Sequence, residues 1–244
     1  MKTIRQQTQL EFTDNRSLSE KAYLLIRERI LRGHLRIGDA LSRRRLAEEL
    51  GVSLLPISEA LQRLEHDGLL ESRPRAGTRV RVPTENDIRE RYVIREALES
   101  QAARLFAERA TPKQREELRR MAEHLDVLFN RLEKGEADPE FQFTVHSYHS
   151  ELHMLIAEHS GCGLLREMIE KNQVLILNWL YDVSAERRAL PPRFHRDLIE
   201  TLATAAPLQA DKAMRDHVRY GLEDTVRRMQ IEPAVEWRLH RSTG

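Results

Sequence analysis

The chain contains 244 residues, of which 32% are charged and 40% apolar, a composition that suits a helical protein of one large or two modest domains. The formal net charge is only +1, but residues 1–82 carry 16 Lys and Arg against 11 Asp and Glu, whereas residues 83–244 carry 24 against 28. This asymmetry is typical of a nucleic-acid-binding module joined to a part that does not contact nucleic acid.

The sequence also limits where the protein is expected to act. Cys162 is the single cysteine, so an internal disulfide is excluded and the cytoplasm is the expected compartment. No apolar run approaches the length of about 18 residues that a membrane span needs, and the N-terminus has no apolar core of signal-peptide length. We therefore expect no membrane partner.

The first predicted element is a helix. Residues 1–16 are polar, and we expect them to form a disordered tail. The apolar residues of Ser17–Arg32 recur at helical spacing, with Ser19 as a candidate cap and Gly33 as the terminator. A turn follows, and residues 40–41 are a candidate short strand.

The stretch from Ser42 to Gly68 contains two helical patterns that meet at a glycine. The first covers residues 43–50 and the second residues 55–67, with Gly51 at the corner and Ser53 as a candidate cap of the second. This spacing is typical of a helix-turn-helix, whose second helix lies in the major groove of DNA. An ordinary helical hairpin explains these two patterns equally well.

The residues that follow favour the DNA-binding interpretation. A weakly alternating segment begins at Leu69, the turn Arg73–Gly77 comes next, and residues 78–82 alternate as a strand does. These elements predict a small β-hairpin with a basic tip, placed where a winged helix has its wing. Residues 17–82 are therefore predicted to form a winged helix-turn-helix of three helices and a hairpin.

The remainder of the chain is predicted to be helical. Thr84 can cap the first helix, with Asp87 at the third helical position. Proline and glycine interrupt the pattern and delimit six helices at about 85–109, 112–133, 138–159, 163–188, 192–205 and 207–230. Short connections favour an antiparallel bundle over residues 83–230, followed by a polar tail at 231–244.

The N-terminal motif resembles the DNA-binding domain of the GntR superfamily of bacterial transcription regulators. The segment IGDALSRRRLAEELGVSLLPISEALQRLEHDGLLESRPRAGTRV carries the resemblance, which extends over about residues 18–82. Arg44 matches an arginine that contacts DNA in the family, whereas Leu54 and Ser58 stand where the family usually has arginine. The resemblance and the exposed basic positions give a candidate DNA-contact set of Arg43, Arg44, Arg45, Ser53, Arg63, Arg75, Gly77 and Arg79.

Four histidines lie on apolar helical faces of the second part. His149 and His153 are four residues apart and so project from one face of one helix, a common half of a metal site. His195 and His217 belong to two further helices, and in a bundle all four side chains can converge. The residues alone leave two interpretations open, a metal site and a set of hydrogen-bonded core histidines.

The second part resembles the FCD ligand-binding domain of the FadR branch of the GntR regulators. Three segments carry the resemblance over about residues 88–229: RYVIREALESQAARLFA, SELHMLIAEHSGCGLL and FHRDLIETLATAAPLQADKAMRDHV. The resemblance implies a divalent metal held by His153, His195 and His217, with His149 at a position that is commonly acidic in the family. Four imidazoles favour Zn or Ni over Mg or Ca. Arg95 matches an arginine that helps to hold a small organic acid, and a simple ion pair with Glu99 is the alternative role.

These features predict a homodimeric transcription regulator, most often a repressor in this family, that binds a pseudo-palindromic DNA operator. A small carboxylate effector at the metal would modulate operator binding. In one alternative the metal is structural or is itself the signal. In a remoter one the chain is a metalloenzyme fused to a DNA-binding module, although no H-E-x-x-H motif is present.

Overall fold

A computed structural model describes residues 16–134, 138–182 and 189–229. These residues form two compact units, and the boundary between the units falls between Val82 and Pro83. The two predicted tails lie outside the described residues, apart from Arg16, and so does the end of the helix predicted at 163–188. No helix in the described ranges combines the length and the apolar character that crossing a membrane requires.

Residues 16–82 of the N-terminal unit form three helices and a three-stranded antiparallel sheet in the order β1-β3-β2. Its elements are α1 (Leu18–Leu31), β1 (Ala40–Leu41), α2 (Arg43–Leu50), α3 (Leu54–His66), β2 (Leu70–Arg73) and β3 (Gly77–Val80). The predicted winged helix-turn-helix is confirmed. The predicted cap at Ser19 is wrong, because the Ser17 side chain accepts the Glu20 backbone N–H, so the helix is capped two residues earlier than expected.

The corner between α2 and α3 depends on Gly51. This residue adopts the left-handed conformation at φ +66°, and its backbone N–H donates to the Ala47 carbonyl. Helix α3 packs on α1 and on α2, and the largest side chains of the unit are fully buried where α1 and α3 meet. They include Ile26, Ile30, Ile57, Leu61 and Leu64. Burial of this one apolar face fixes the two helices against each other.

The described residues of the helical unit form six helices, as predicted. They are α4 (Glu85–Arg109), α5 (Pro112–Glu133), α6 (Pro139–His159), α7 (Gly163–Asp182), α8 (Phe194–Thr204) and α9 (Pro207–Met229). Capping boxes begin α4 and α5, since Thr84 pairs with Asp87 and Thr111 pairs with Gln114. The sequence marks both of these starts with a hydroxyl residue in front of a periodic apolar pattern.

Helix α4 is the central element of this unit. It packs along α9 and also contacts α6, α7 and α8, while α5 packs on α6 and α8. The Tyr92 and Thr225 hydroxyls join α4 to α9 at 3.1 Å within the core. This arrangement directs the inner faces of α4, α5, α6, α8 and α9 toward a common region, which contains the four histidines.

Candidate metal centre and DNA-binding surface

Three of the four predicted ligands meet at their Nε2 atoms. The distance is 3.0 Å from His149 to His153, 3.2 Å from His153 to His217 and 3.4 Å from His149 to His217. His149 and His153 project from successive turns of α6, and His217 projects from the facing side of α9. The structure therefore brings together three nitrogen donors from two helices, a group able to hold a metal ion.

His195 borders this group from α8. Its ring centroid lies 4.8 Å from that of His149 and 5.6 Å from that of His217. The His195 side chain is fully buried, and its Nε2 has no hydrogen-bond partner among the described residues. A buried imidazole nitrogen without a partner is costly unless a ligand occupies it, so this atom is a further candidate donor.

Carboxylates hold two of the histidines from behind. Glu99 Oε2 lies 2.7 Å from His153 Nδ1, and Asp126 Oδ1 lies 2.8 Å from His195 Nδ1. A carboxylate at Nδ1 favours the proton on that nitrogen, and we infer that the lone pair of each ring is then on Nε2. Both rings thus present an acceptor nitrogen to the cluster, the orientation of a metal-ligating histidine.

Asp126 also fixes the start of α8. The residue before this helix, Arg193, is left-handed at φ +64° and supplies no side-chain cap. Instead, the Asp126 carboxylate on α5 accepts the backbone N–H groups of His195 and Arg196. One carboxylate therefore replaces the missing cap and orients the His195 ring, which ties ring geometry to the helix terminus.

Two phenylalanines complete the packing of the rings. Phe129 stacks on His195 with centroids 5.1 Å apart, and Phe194 stacks on His217 with centroids 4.7 Å apart. Stacking on one face leaves each ring few ways to rotate. The cluster is held in place by apolar contacts as well as by hydrogen bonds.

The electrostatics of the site favour neutral rings at His149, His195 and His217 and a charged carboxylate at Glu99. Burial lowers the pKa of His149 and of His217 well below the usual value, and the neighbouring histidines lower each pKa further. Burial also lowers the pKa of His195, against the opposing effect of Asp126. Burial would raise the pKa of Glu99, but Arg95 and then His153 outweigh it and hold that pKa at about 2. Neutral imidazoles are the form that binds metals.

The Arg95 side chain is buried at the edge of the cluster. Its Nε lies 2.7 Å from Glu99 Oε1, and one terminal nitrogen lies 3.5 Å from His153 Nε2. The ion pair with Glu99 is therefore present, and the same guanidinium borders the nitrogens that face the centre. The two roles considered for Arg95 are geometrically compatible.

The donor set fits a divalent transition metal. Nitrogens bound to one tetrahedral ion at 2.0–2.1 Å are separated by about 3.3–3.4 Å. The three measured separations of 3.0–3.4 Å need only a small outward adjustment to reach that spacing. Neutral nitrogen donors with carboxylates behind them are also the arrangement that supports such ions in proteins.

The supporting residues Asp126, Phe129 and Phe194 were not among the predicted site residues, and Glu99 was predicted only as an ion-pair partner of Arg95. Charged positions within a helix usually face solvent, and no spacing rule shows which one turns inward. The single usable signal is that Asp126 and Phe129 are three residues apart and so lie on one face of α5.

The N-terminal unit displays a separate basic surface. Arg43, Arg44 and Arg45 are all exposed in the first turn of α2, and Arg45 bonds Glu49 at 2.8 Å. Ser53 begins α3 without using its side chain as a cap. Arg63, further along α3, places its guanidinium 3.9 Å from the centroid of the Tyr23 ring. These five residues of the predicted DNA-contact set are on the surface.

The three remaining residues of the predicted DNA-contact set lie in the wing and differ in exposure. Arg75 is exposed at the hairpin tip in a left-handed conformation at φ 62°, and Gly77 follows at φ 87°. Arg79 is only 7% exposed, and its Nε bonds Glu71 Oε1 at 2.8 Å. The expectation that Arg79 contacts DNA is therefore corrected. This residue lies on the central strand, between Ala40 of β1 and Glu71 of β2, and Glu71 binds its guanidinium.

A winged helix-turn-helix followed by an all-helical unit defines a class of DNA-binding transcription regulators. Residues 18–80 match the family of bacterial regulatory proteins named gntR, and residues 90–220 match the FCD domain. The chain belongs to this gntR family and carries an FCD domain.

Whole-length relatives agree with this assignment. An uncharacterized HTH-type transcriptional regulator of Bacillus subtilis, YdhC, is 28% identical over 206 residues, which cover 82% of this chain and 88% of the relative. The transcriptional repressor RspR of Escherichia coli is 24% identical and covers 93% and 95% of the two chains. The solved structure of E. coli McbR/YncC shares the fold, with a TM-score of 0.65, 24% identity and coverage of 88% and 99%. The chain is thus a transcription regulator and not an enzyme, which removes the metalloenzyme alternative.

Proposed function

We propose that this protein is a transcription repressor whose operator binding is modulated by a small organic acid bound at a divalent metal in the helical unit. The convergence of the Nε2 atoms of His149, His153 and His217 at 3.0–3.4 Å carries the proposal. Hydrogen bonding among three neutral rings does not explain it well, because each neutral imidazole has a single N–H to donate. A shared cation satisfies all three lone pairs at once.

The donor chemistry favours zinc or nickel. All four candidate ligands, His149, His153, His195 and His217, are imidazoles, which suit borderline metals and not the hard cations that select carboxylate oxygens. Glu99 and Asp126 place two negative charges directly behind the ligands. They compensate part of the metal charge without occupying its coordination sphere.

The effector is proposed to be a small carboxylate that approaches the metal from the side of Arg95. A bound divalent ion would supply a Lewis acid for one carboxylate oxygen. The Arg95 guanidinium, held by Glu99 at 2.7 Å, would pair with the remaining negative charge. The buried position of this arginine makes such a pairing stronger than it would be in water.

The same proposal assigns roles to the two units. Residues 17–82 would bind DNA, and residues 83–230 would bind the effector and form a homodimer. In the cytoplasm, a dimer would present two recognition helices to a pseudo-palindromic operator. Two bound half-sites would give a small DNA-binding domain its specificity. Effector binding would then change the free energy of the DNA-bound arrangement by about 1–3 kcal/mol.

The proposal is tested by measuring DNA affinity with and without metal and acid. A labelled duplex selected from a random library is titrated by anisotropy with zinc-loaded and with chelator-stripped protein, against a panel of mono-, di- and tricarboxylates. We expect one acid class to change the DNA affinity by about 5- to 150-fold only when metal is bound. Arg95→Gln should abolish this response, whereas Arg104→Gln, which alters an exposed arginine of the same helix, should retain it. If neither metal nor acid changes DNA affinity, the proposal is wrong.

A second candidate function is favoured by the ion pair of Arg95. Because its Nε is already bound to Glu99, the guanidinium is partly committed before any acid arrives. In this version the metal is structural or is itself the signal, and no acid is needed. Metal removal that changes DNA affinity while every acid leaves it unchanged would establish this version and exclude the first.

A further inference from the structure

The first turn of α3 exposes two leucines. Leu54 is 53% exposed and Leu55 is 67% exposed, whereas the later apolar residues of the helix, from Ile57 to Leu64, are buried. The two leucines are therefore not part of the core that holds α3 in place. Two adjacent leucines at the surface form a small apolar patch that is available for a contact outside the unit.

Their position places them on the surface that meets DNA. In a helix-turn-helix the N-terminal residues of the second helix contact base edges in the major groove. The first turn of α3, residues 54–57, contains no charged residue. The nearby Ser58 hydroxyl donates to the Leu54 carbonyl at 2.9 Å, so its proton is used within the helix. The polar contacts that normally read bases are thus scarce at this tip.

The exposed arginines of this unit lie outside the first turn of α3. Arg43, Arg44 and Arg45 are exposed at the start of α2, and Arg75 is exposed on the wing. Arginines at these places complement the phosphate backbone on both sides of the groove that α3 enters. This division leaves the leucines to meet the bases themselves, where the apolar group at the major-groove edge is the 5-methyl of thymine.

We propose that Leu54 and Leu55 read thymine 5-methyl groups in each half-site of the operator. This inference rests on the proposed DNA-binding role of residues 17–82. It predicts that affinity comes mainly from the arginines, while one or two thymines in each half-site are recognised by apolar contact. Loss of one such methyl group should weaken binding by about threefold to fivefold.

Deoxyuridine tests the inference because it differs from thymidine only in lacking this methyl group. A duplex is first selected by the full-length protein from a random library and then resynthesised with deoxyuridine at each thymine in turn. We expect one or two positions in each half-site to lose about threefold to fivefold in affinity for the wild-type protein. Leu54→Ala and Leu55→Ala should remove that loss. Leu208→Ala changes an equally exposed leucine of α9 and should behave as the wild type.

A second control separates base reading from phosphate binding. Arg44→Ala should weaken binding to thymine and deoxyuridine duplexes by the same factor and should reduce the salt dependence. The inference is overturned if every deoxyuridine duplex binds the wild-type protein within twofold of its parent, or if the leucine variants keep the wild-type ratio. It is equally overturned if those variants instead dissociate an oligomer, because the leucines then contact a second copy. A library that yields no enriched sequence would contradict the DNA-binding role of residues 17–82 itself. That outcome differs from the failure of the leucine inference, in which a sequence is enriched but its thymine methyl groups do not matter.

Discussion

Glu99 and Asp126 determine which nitrogen each neighbouring histidine presents to the cluster. Each carboxylate holds an Nδ1 atom at 2.7–2.8 Å, so the opposite nitrogen faces the centre. Carboxylates behind the ligands also raise the basicity of the imidazole. Loss of either carboxylate should therefore lower the affinity for metal more than it lowers the stability of the fold.

Glu99→Gln tests this role. Glu99 holds Arg95 and His153 with different oxygens, whereas glutamine has one acceptor oxygen and no negative charge. We therefore expect the affinity for zinc to fall by about 10- to 100-fold. The measurement is competition against a chelator of known affinity, with circular dichroism to confirm that the variant is folded. Glu108→Gln removes the partner of Arg104 in another ion pair of α4 and should keep the wild-type affinity. Equal affinity in both variants would show that Glu99 has no role in metal binding.

Substitutions of Arg75 and Arg79 test whether one arginine of the wing binds DNA while the other stabilises the fold. Arg79→Gln removes a buried guanidinium that bonds Glu71, and we expect the free energy of unfolding to fall by about 1–3 kcal/mol. Arg75→Gln alters an exposed tip residue and should leave that energy unchanged while it lowers DNA affinity and reduces the salt slope by about 1. Urea unfolding and salt-dependent anisotropy measure the two effects. The reverse pattern would contradict the assignment of Arg79 to the structure of the wing.

At the scale of elements, the helix-turn-helix corner depends on one backbone conformation. Gly51 adopts φ +66°, and among the described residues no heavy atom beyond Gly51 and its two chain neighbours lies within 4 Å of the position that a Cβ would occupy there. The cost of a side chain at this position is thus conformational and not steric. Substitution of Gly51 therefore tests whether the backbone conformation alone explains why the sequence has glycine at this corner.

Gly51→Ala should lower the free energy of unfolding by about 1–2 kcal/mol, because a left-handed alanine is strained. Asparagine tolerates this conformation, so Gly51→Asn should cost less. Gly163→Ala adds a Cβ in equally open space at the first residue of α7, without a positive φ, and should cost almost nothing. Urea unfolding compares the three variants, and equal losses at both glycines would refute the conformational explanation.

Most element boundaries could be predicted because local chemistry sets them. Thr84 and Thr111 form capping boxes with residues three positions later, and these patterns are visible in the sequence. The start of α8 was placed two residues too early, since its cap is Asp126 on a different helix. Local patterns cannot reveal a cap that only tertiary packing supplies.

The same distinction holds for the candidate site. The spacing of His149 and His153 predicts a shared helical face, and the structure places their Nε2 atoms 3.0 Å apart. His195 and His217 were selected from apolar faces and the family resemblance. The exposure of Arg79 was misjudged because alternation assigns residues to the two faces of a strand and does not show which face is covered. Tertiary packing decides that question.

For the whole molecule, the proposed response to a small organic acid requires a metal centre in the helical unit. The gntR family assignment defines a transcription regulator. The histidine cluster is the proposed site at which the metal and the acid act on this regulator. If the cluster holds no metal, its rings are buried polar groups of the core. The acid would then lack its proposed receptor.

The most direct measurement is the metal content of the purified protein, determined by elemental analysis beside two double variants. His153→Ala/His195→Ala removes two candidate ligands, and His66→Ala/His124→Ala removes two exposed histidines as a matched control. We predict about one zinc or nickel ion per chain in the wild type and in the control, and none in the ligand variant. Wild-type protein that binds no metal after incubation with zinc or nickel, or a ligand variant that retains a full equivalent, would contradict the account.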